Sequence, residues 1–462
     1  MPAKQAPQGA SGAVRLQRAL TLWDLVIYGI VLIQPTAPMP LFGVVSQEAR
    51  GHVVTTILIA MVAMLFTAIS YGRMARAYPS AGSAFTYVGR EFHPFFGYIT
   101  GWSMAMDYLL NPILCTIWCS EAARNIAPEV PYAAWVFFIA MLFTGLNLRG
   151  IRANARTNTL LAGGMGVVIV IFLAAAARYI FSQTHGPGFF TLPFYNPRTF
   201  SPPLVFTGVS IAVLTYIGFD GISTLSEEVR NPRRNIIRAT VLVCLITGVL
   251  ASVEVYAAQL IWPSHRPFPE IDTAFSFVAG QAVASPGAPA AALRSVWLFQ
   301  LVNLTLLVAS AGSGSSAQLA AARLLYGMGR SNALPKKFFG AIEPKNKIPR
   351  NNVILVGALA LAGAFALTYQ LSAELLNFGA FIAFIGVNLA AINRYFVRGK
   401  KTISNLAPPL AGALICFYIW LNLRTPAKIA GGAWLCLGIL YGAWKTNGFR
   451  GRTISFDLAP DD

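Results

Sequence analysis

Charge is what this sequence lacks most. Only 11% of its 462 residues are charged, against roughly 25% in soluble domains. A soluble chain of this length could not solvate its surface with so few ions. Histidine and cysteine are also sparse, at four and five residues. His52, His93, His185 and His265 are scattered over loops and the ends of apolar runs and form no ligand cluster. Cys115, Cys119, Cys244, Cys416 and Cys436 contain no CxxC pair and read as small buried hydrophobes. No metal or cofactor is therefore expected. Without a clustered acid/base set an enzyme is not supported, and no glycine loop for a nucleotide phosphate is present. A channel's repeated filter or ring of charges is missing too. The chain has no Gly/Ser linker and no polar insert of domain size. No cleavable signal peptide is visible, since Met1–Ser11 is polar and rich in Pro, Gly and Gln.

Apolar residues fill the space that charge leaves. They make up 56% of the chain and fall into runs of about 20 residues, each long enough to cross a hydrocarbon core. The candidate spans are roughly 22–46, 52–74, 94–123, 131–148, 157–182, 203–225, 237–262, 292–322, 351–370, 373–396, 405–424 and 428–446. A short helix is expected within 270–281, and part of 323–350 is expected to be helical. Twelve spans put both termini on one side. Of the 35 Lys and Arg residues, 27 fall on that side and 8 on the other, so both termini are expected in the cytoplasm of a cell (inner) membrane protein. The net charge of +18 is then a topology signal. Aromatic–basic interleaving is absent, and no nucleic-acid partner is expected; the partners are membrane lipid and a small solute. The sequence does not speak to oligomeric state.

Two spans are interrupted near their middles. Span 1 reads IVLIQPTAPMPLFG, with Pro35, Pro38 and Pro40 inside six residues. A continuous helix cannot hold three prolines at that spacing. Span 6 reads LTYIGFDGIST, with Gly218 and Gly221 bracketing Phe219 and Asp220. Breaks five spans apart point to an inverted repeat with a solute site at the midplane.

At these residues the chain resembles a known family. GFDGISTLSEEVRNPRRNIIRA (218–239) is similar to the span 6 signature of the amino acid–polyamine–organocation (APC) superfamily. The stretches 66–112, ARLLYGMGRSNALP (322–335) and LLNFGAFIAFIGVNLAAINRY (375–395) resemble its spans 2–3, 8 and 10. Within the superfamily the likeness is greatest to bacterial putrescine importers. The resemblance implies an all-α membrane fold of about twelve helices, a LeuT-like five-plus-five inverted repeat plus two C-terminal spans. The corresponding organisation is a tail at 1–20, a first repeat at 21–182, a second at 203–396, two further spans at 405–446 and a tail at 447–462. It implies a secondary active transporter, a permease importing an amino acid or polyamine by symport and alternating access.

Several residues are candidates for that task. Asp107 lies near the middle of span 3, where a carboxylate is costly and a functional candidate by default. With Tyr108 and Asn111 beside it, it either pairs with a substrate ammonium or serves as a hub between helices. Asp220 either binds the amine or caps the second half-helix. Tyr216, Gly218 and Phe219 flank it, the rings as candidate cation-attracting walls. Glu227 and Glu228 either form an inner gate with Arg230, Arg233 or Arg234 or make surface ion pairs. Glu254, deep in span 7, is a candidate proton carrier, although the putrescine importers carry a small residue there. In sodium-coupled members of the fold, span 8 hydroxyls and span 1 carbonyls hold the ion. Ser313 and Ser316 are the candidates for that here, or else simply let helices approach closely. Proton is the expected coupling ion and sodium the alternative. The span 5 lysine of some proton-coupled relatives is missing from LLAGGMG (160–166).

The substrate class stays open on sequence. Amino acid members bind the carboxylate with N–H groups at the span 1 break. Here Gln34, Thr36, Ala37 and Met39 are the candidate contacts, and the prolines donate nothing, which suits a diamine. Yet the putrescine importers carry an acid in this break where this chain has Pro40. An exchanger, a sodium symporter and a non-transporting sensor on the same fold are the alternatives.

Overall fold

A computed structural model describes residues 20–78, 83–149, 155–224, 229–263, 266–330, 334–343 and 348–448. Among them the chain is helical throughout, with two isolated bridges, Leu20 to Val229 and Glu343 to Ile348, and no strand. The helices in order are α1 (Leu22–Ile33), α2 (Pro38–Glu48), α3 (Val53–Ala77), α4 (Ser83–Glu91), α5 (Pro94–Ile126) and α6 (Tyr132–Leu148). Next come α7 (Ala155–Phe181), α8 (Pro202–Ala212), α9 (Gly221–Thr224), α10 (Pro232–Ile261), α11 (Ala274–Gln281) and α12 (Ala290–Arg294). The last six are α13 (Trp297–Arg330), α14 (Lys336–Phe339), α15 (Arg350–Ala366), α16 (Tyr369–Ile392), α17 (Ile403–Leu421) and α18 (Thr425–Lys445).

Six of the described helices are long and apolar enough to cross a membrane: α3, the Gly163–Phe181 part of α7, α10, α13 to Gly329, α16 with its continuation to Val397, and α17. The α1–α2 pair passes the same test together, bent by 54°.

Local chemistry explains that bend. Thr21 and Asp24 form a reciprocal capping box that starts α1. α1 ends at Gln34, whose φ of 70° lies in the left-handed region. α2 then begins at Pro38. Pro38 and Pro40 fall in its first turn, where the missing N–H groups would have had no intrahelical partner. Three prolines are tolerated because the helix stops before them and restarts on them. The second interruption is built differently. α8 tightens into a 3₁₀ turn at Val213–Thr215, and residues 216–220 are turns before α9.

α5 lies at the centre, packed by α13, α16, α15, α4 and α6, while α3 and α10 form the most extensive pair of all. Glycines permit the tight crossings. A Cβ on Gly72 would lie 2.5 Å from the Ile237 Cα, and one on Gly379 2.3 Å from the Ser103 carbonyl oxygen. The stretch before α1 is tied to the stretch after α9, because the Arg230 N–H donates to the Leu20 carbonyl at 2.9 Å.

Candidate functional site

The two interruptions meet. A Cβ on Gly221 would lie 2.6 Å from the Leu32 Cδ2, and one on Gly218 3.3 Å from the Leu32 Cγ. Gly218 has a φ of +120°, which a side chain would make costly. The end of α1 thus rests directly on the turns of the second break.

At the first break the polar groups are largely committed. The Gln34 side-chain amide donates to the Ala309 carbonyl on α13 at 3.1 Å. The buried Thr36 hydroxyl contacts the Met165 sulfur on α7 at 3.3 Å. The Ala37 N–H donates to the Gln34 carbonyl and the Met39 N–H to the Thr36 carbonyl. Two N–H groups that an incoming carboxylate would need are therefore spent inside the turn, and the Met39 side chain is buried.

At the second break Asp220 stands at the start of α9. The backbone N–H groups of Asp220, Gly218 and Gly221 bear on its carboxylate, as a capping residue's would. Asp107 on α5 lies within its electrostatic reach. Neither carboxylate has an ion-pair partner among the described residues. Tyr108, 37% exposed, shares the field of both acids and of Tyr28 on α1, which also keeps open surface. Phe219 is fully buried in a cluster of rings. It meets Tyr71 edge-on at 5.5 Å and Phe384 at 5.5 Å, and Tyr71 meets Phe384 at 5.9 Å and Tyr87 at 6.2 Å.

Tyr216 is placed elsewhere. Its ring is buried and its hydroxyl donates to the Ile57 carbonyl of α3 at 2.9 Å. Glu254 on α10 is fully buried, and neither carboxyl oxygen has a hydrogen-bond partner among the described residues. Ser313 on α13 interacts with the Cys115 thiol, and Ser316 is exposed on the same helix. Glu227 and Glu228 lie outside the described residues.

The structure adds groups that sequence reasoning passed over. Tyr71, Tyr87 and Phe384 join the second break through ring contacts between elements far apart in the chain, for which no local motif is a signal. Two ionic clusters join elements far apart in the chain. In one, Glu91 is buried and bonded by Arg394 at 3.1 Å and by the Tyr78 hydroxyl at 2.7 Å. In the other, Arg424 reaches both Glu48 and Glu374 at 3.5 Å.

The amino acid permease family profile matches residues 40–430. The chain is 36% identical over 451 residues to "Low-affinity putrescine importer PlaP" of Escherichia coli (strain K12), covering 95% of both chains. It is 24% identical to "Branched-chain amino acid permease BcaP" of Bacillus subtilis (strain 168), covering 93% of both. It is 26% identical to "Cationic amino acid transporter 4, vacuolar" of Arabidopsis thaliana, over 82% of this chain and 64% of that one. These relatives are membrane transporters, not enzymes, and the profile match spans from within α2 into α18, including the second break: this chain belongs to the amino acid permease family, within the APC superfamily.

Proposed function

We propose that this permease imports a diamine of the putrescine type by proton-coupled alternating access. The observation that carries the substrate is the pair Asp107 and Asp220: two carboxylates in one another's field with no cation paired to either among the described residues. Two like charges inside a membrane bundle are costly unless a cation joins them, and an alkyl diamine supplies one at each end. The commitment of the Ala37 and Met39 N–H groups weighs against a substrate carboxylate at the first break. The "putrescine importer" in the name of PlaP agrees with the same choice.

On this reading the chain has twelve spans, arranged as a five-plus-five inverted repeat with two further spans, in the inner membrane with both termini cytoplasmic. The pairing of α3 with α10 and of α5 with α13 supports the repeat, since these are the second and third spans of each half. Asp107, Tyr108, Asp220 and Phe219 form the solute site. Glu254 carries the proton, because it is a buried carboxyl on α10 with no hydrogen-bond partner among the described residues. Sodium is disfavoured as the coupling ion by Gln34, whose amide N–H occupies the Ala309 carbonyl between span 1 and span 8.

Uptake of labelled putrescine and labelled leucine into proteoliposomes under an imposed proton gradient tests this reading. Saturable putrescine uptake that Asp107→Asn reduces at least tenfold and a protonophore abolishes is expected. Leucine uptake without putrescine uptake would overturn the substrate, and putrescine uptake indifferent to the protonophore would overturn the coupling.

A further inference from the structure

Tyr71 sits on α3, behind the second break, with no exposed surface. Its hydroxyl has no hydrogen-bond partner among the described residues. A buried hydroxyl without a partner is a standing cost that phenylalanine would avoid, so a use for it in another state of the protein is the physical question. Its surroundings give an answer. Tyr71 lies within the electrostatic reach of Asp220, and of Tyr87 and Tyr108. Its ring is fixed edge-on against Phe219, Phe384 and Tyr87. Phe219 is the residue next to Asp220, carried on turns rather than on a helix and preceded by Gly218 at φ +120°. The ring beside the acid is therefore carried on turns, while Tyr71 stands on a regular helix.

We propose that Tyr71 is a substrate-positioning residue: when the amine is bound, its hydroxyl oxygen accepts an ammonium N–H beside Asp220, with the Phe219 and Phe384 rings as the cation-attracting wall. This rests on the diamine reading above and deepens it. Asp220 supplies charge, which any primary amine satisfies. A neutral acceptor at a fixed place supplies direction, because an ammonium has three donors and a single carboxylate cannot orient them all. The aromatic faces add attraction for a cation that has left water. Tyr71 thereby favours a primary ammonium over a methylated one, which has fewer N–H groups to offer.

The test uses the full chain purified in detergent and putrescine as the probe, with N,N,N′,N′-tetramethylputrescine for comparison. Wild type, Tyr71→Phe and Asp220→Asn are compared by thermal unfolding with and without the diamine, and by titration. Tyr71→Phe keeps the ring and its packing. It is expected to melt no lower than wild type without ligand, yet bind putrescine about tenfold more weakly, with discrimination against the tetramethyl analogue reduced by a similar factor. An unaltered putrescine affinity and unaltered discrimination in Tyr71→Phe, with binding lost in Asp220→Asn, overturns the role of Tyr71 and leaves the diamine site standing. Undiminished binding in Asp220→Asn, or no putrescine binding by wild type, overturns the site itself and Tyr71 with it.

Discussion

Arg424 offers the sharpest energetic test of this packing. It precedes α18 and holds two carboxylates from different parts of the bundle: Nη1 is 3.5 Å from Glu48 on α2, and Nε is 3.5 Å from Glu374 on α16. Gln370 braces both acids, donating to Glu48 at 2.8 Å and to Glu374 at 3.4 Å. The Glu374 side chain has no exposed surface, whereas Arg424 is 38% exposed. At 3.5 Å and an effective dielectric of 20, one such pair is worth about 5 kcal/mol before desolvation. Desolvation of Glu374 and screening of the half-open arginine remove much of that. A net coupling of about 2 kcal/mol remains for Arg424–Glu374, and under about 1 kcal/mol for the more exposed Glu48. Arg424→Met strands the Glu374 carboxylate and is expected to cost about 3 kcal/mol. Glu374→Gln keeps the Gln370 contact and is expected to cost about 1 kcal/mol. The double variant removes the stranded charge, so it should be about 2 kcal/mol more stable than the sum of the single losses predicts. A double-mutant cycle in denaturant-induced unfolding of the detergent-solubilised protein measures this. Additive losses, within about 0.5 kcal/mol, would refute the claim that Arg424 compensates a buried charge.

Three further substitutions probe other parts of the argument. Gly43→Ala would place a methyl 2.0 Å from the Ile271 carbonyl oxygen; a loss of about 1–3 kcal/mol from overpacking is expected, and a melting temperature equal to wild type would show that α2 does not seat on this segment. Glu254→Gln keeps the shape of a carboxyl that has no partner, so the protein should remain folded and bind putrescine while losing proton-driven accumulation; accumulation at the wild-type level would remove Glu254 from the coupling. Gln34→Ala frees the Ala309 carbonyl and is expected to weaken the α1–α13 contact by about 1 kcal/mol, while replacement of sodium by choline leaves wild-type uptake unchanged; sodium-dependent uptake by the wild-type protein would contradict the place given to that amide.

Much of this arrangement was legible in the sequence wherever the governing chemistry is local. Pro35, Pro38 and Pro40 forbid a continuous helix by their own covalent structure, so the interruption at 34–37 could be read before any tertiary contact was known. Asp107 declared itself by depth, since a carboxylate in the middle of an apolar run needs a reason. Tyr71 gave no such sign. It lies in an ordinary stretch of α3, and only folding brings it to Phe219 and Phe384, which are distant in the chain. Tyr216 illustrates the limit from the other side. Sequence adjacency sets it beside Asp220, but the 3₁₀ turn at Val213–Thr215 advances each residue by about 120° instead of 100°. That change of phase contributes to turning Tyr216 onto the Ile57 carbonyl of α3. The Arg424 cluster was hidden for a similar reason: a lone basic residue between two spans reads as a topology charge, and Glu374 only shows itself as its partner once α16 is packed.

The two breaks are made of different residues, and the difference has a mechanical meaning. Proline fixes φ, so the first break is restrained at Pro35 and its second arm starts on Pro38. Glycine imposes nothing, so the second break takes the shape its neighbours allow. Leu32, at the end of the first arm, packs where Gly218 and Gly221 leave room, and no other residue type would admit it so closely. A shift of α1 therefore cannot leave the Asp220 turns unchanged, because the side chain filling the glycine gap moves with the helix. Conversely, a cation that draws Asp220 toward Asp107 pulls on the backbone against which Leu32 rests. On the proposed solute site, solute charge and helix position would be coupled through the apolar contacts that Leu32 and Ile33 make with the second break, and that coupling needs no hydrogen bond to pass between the two.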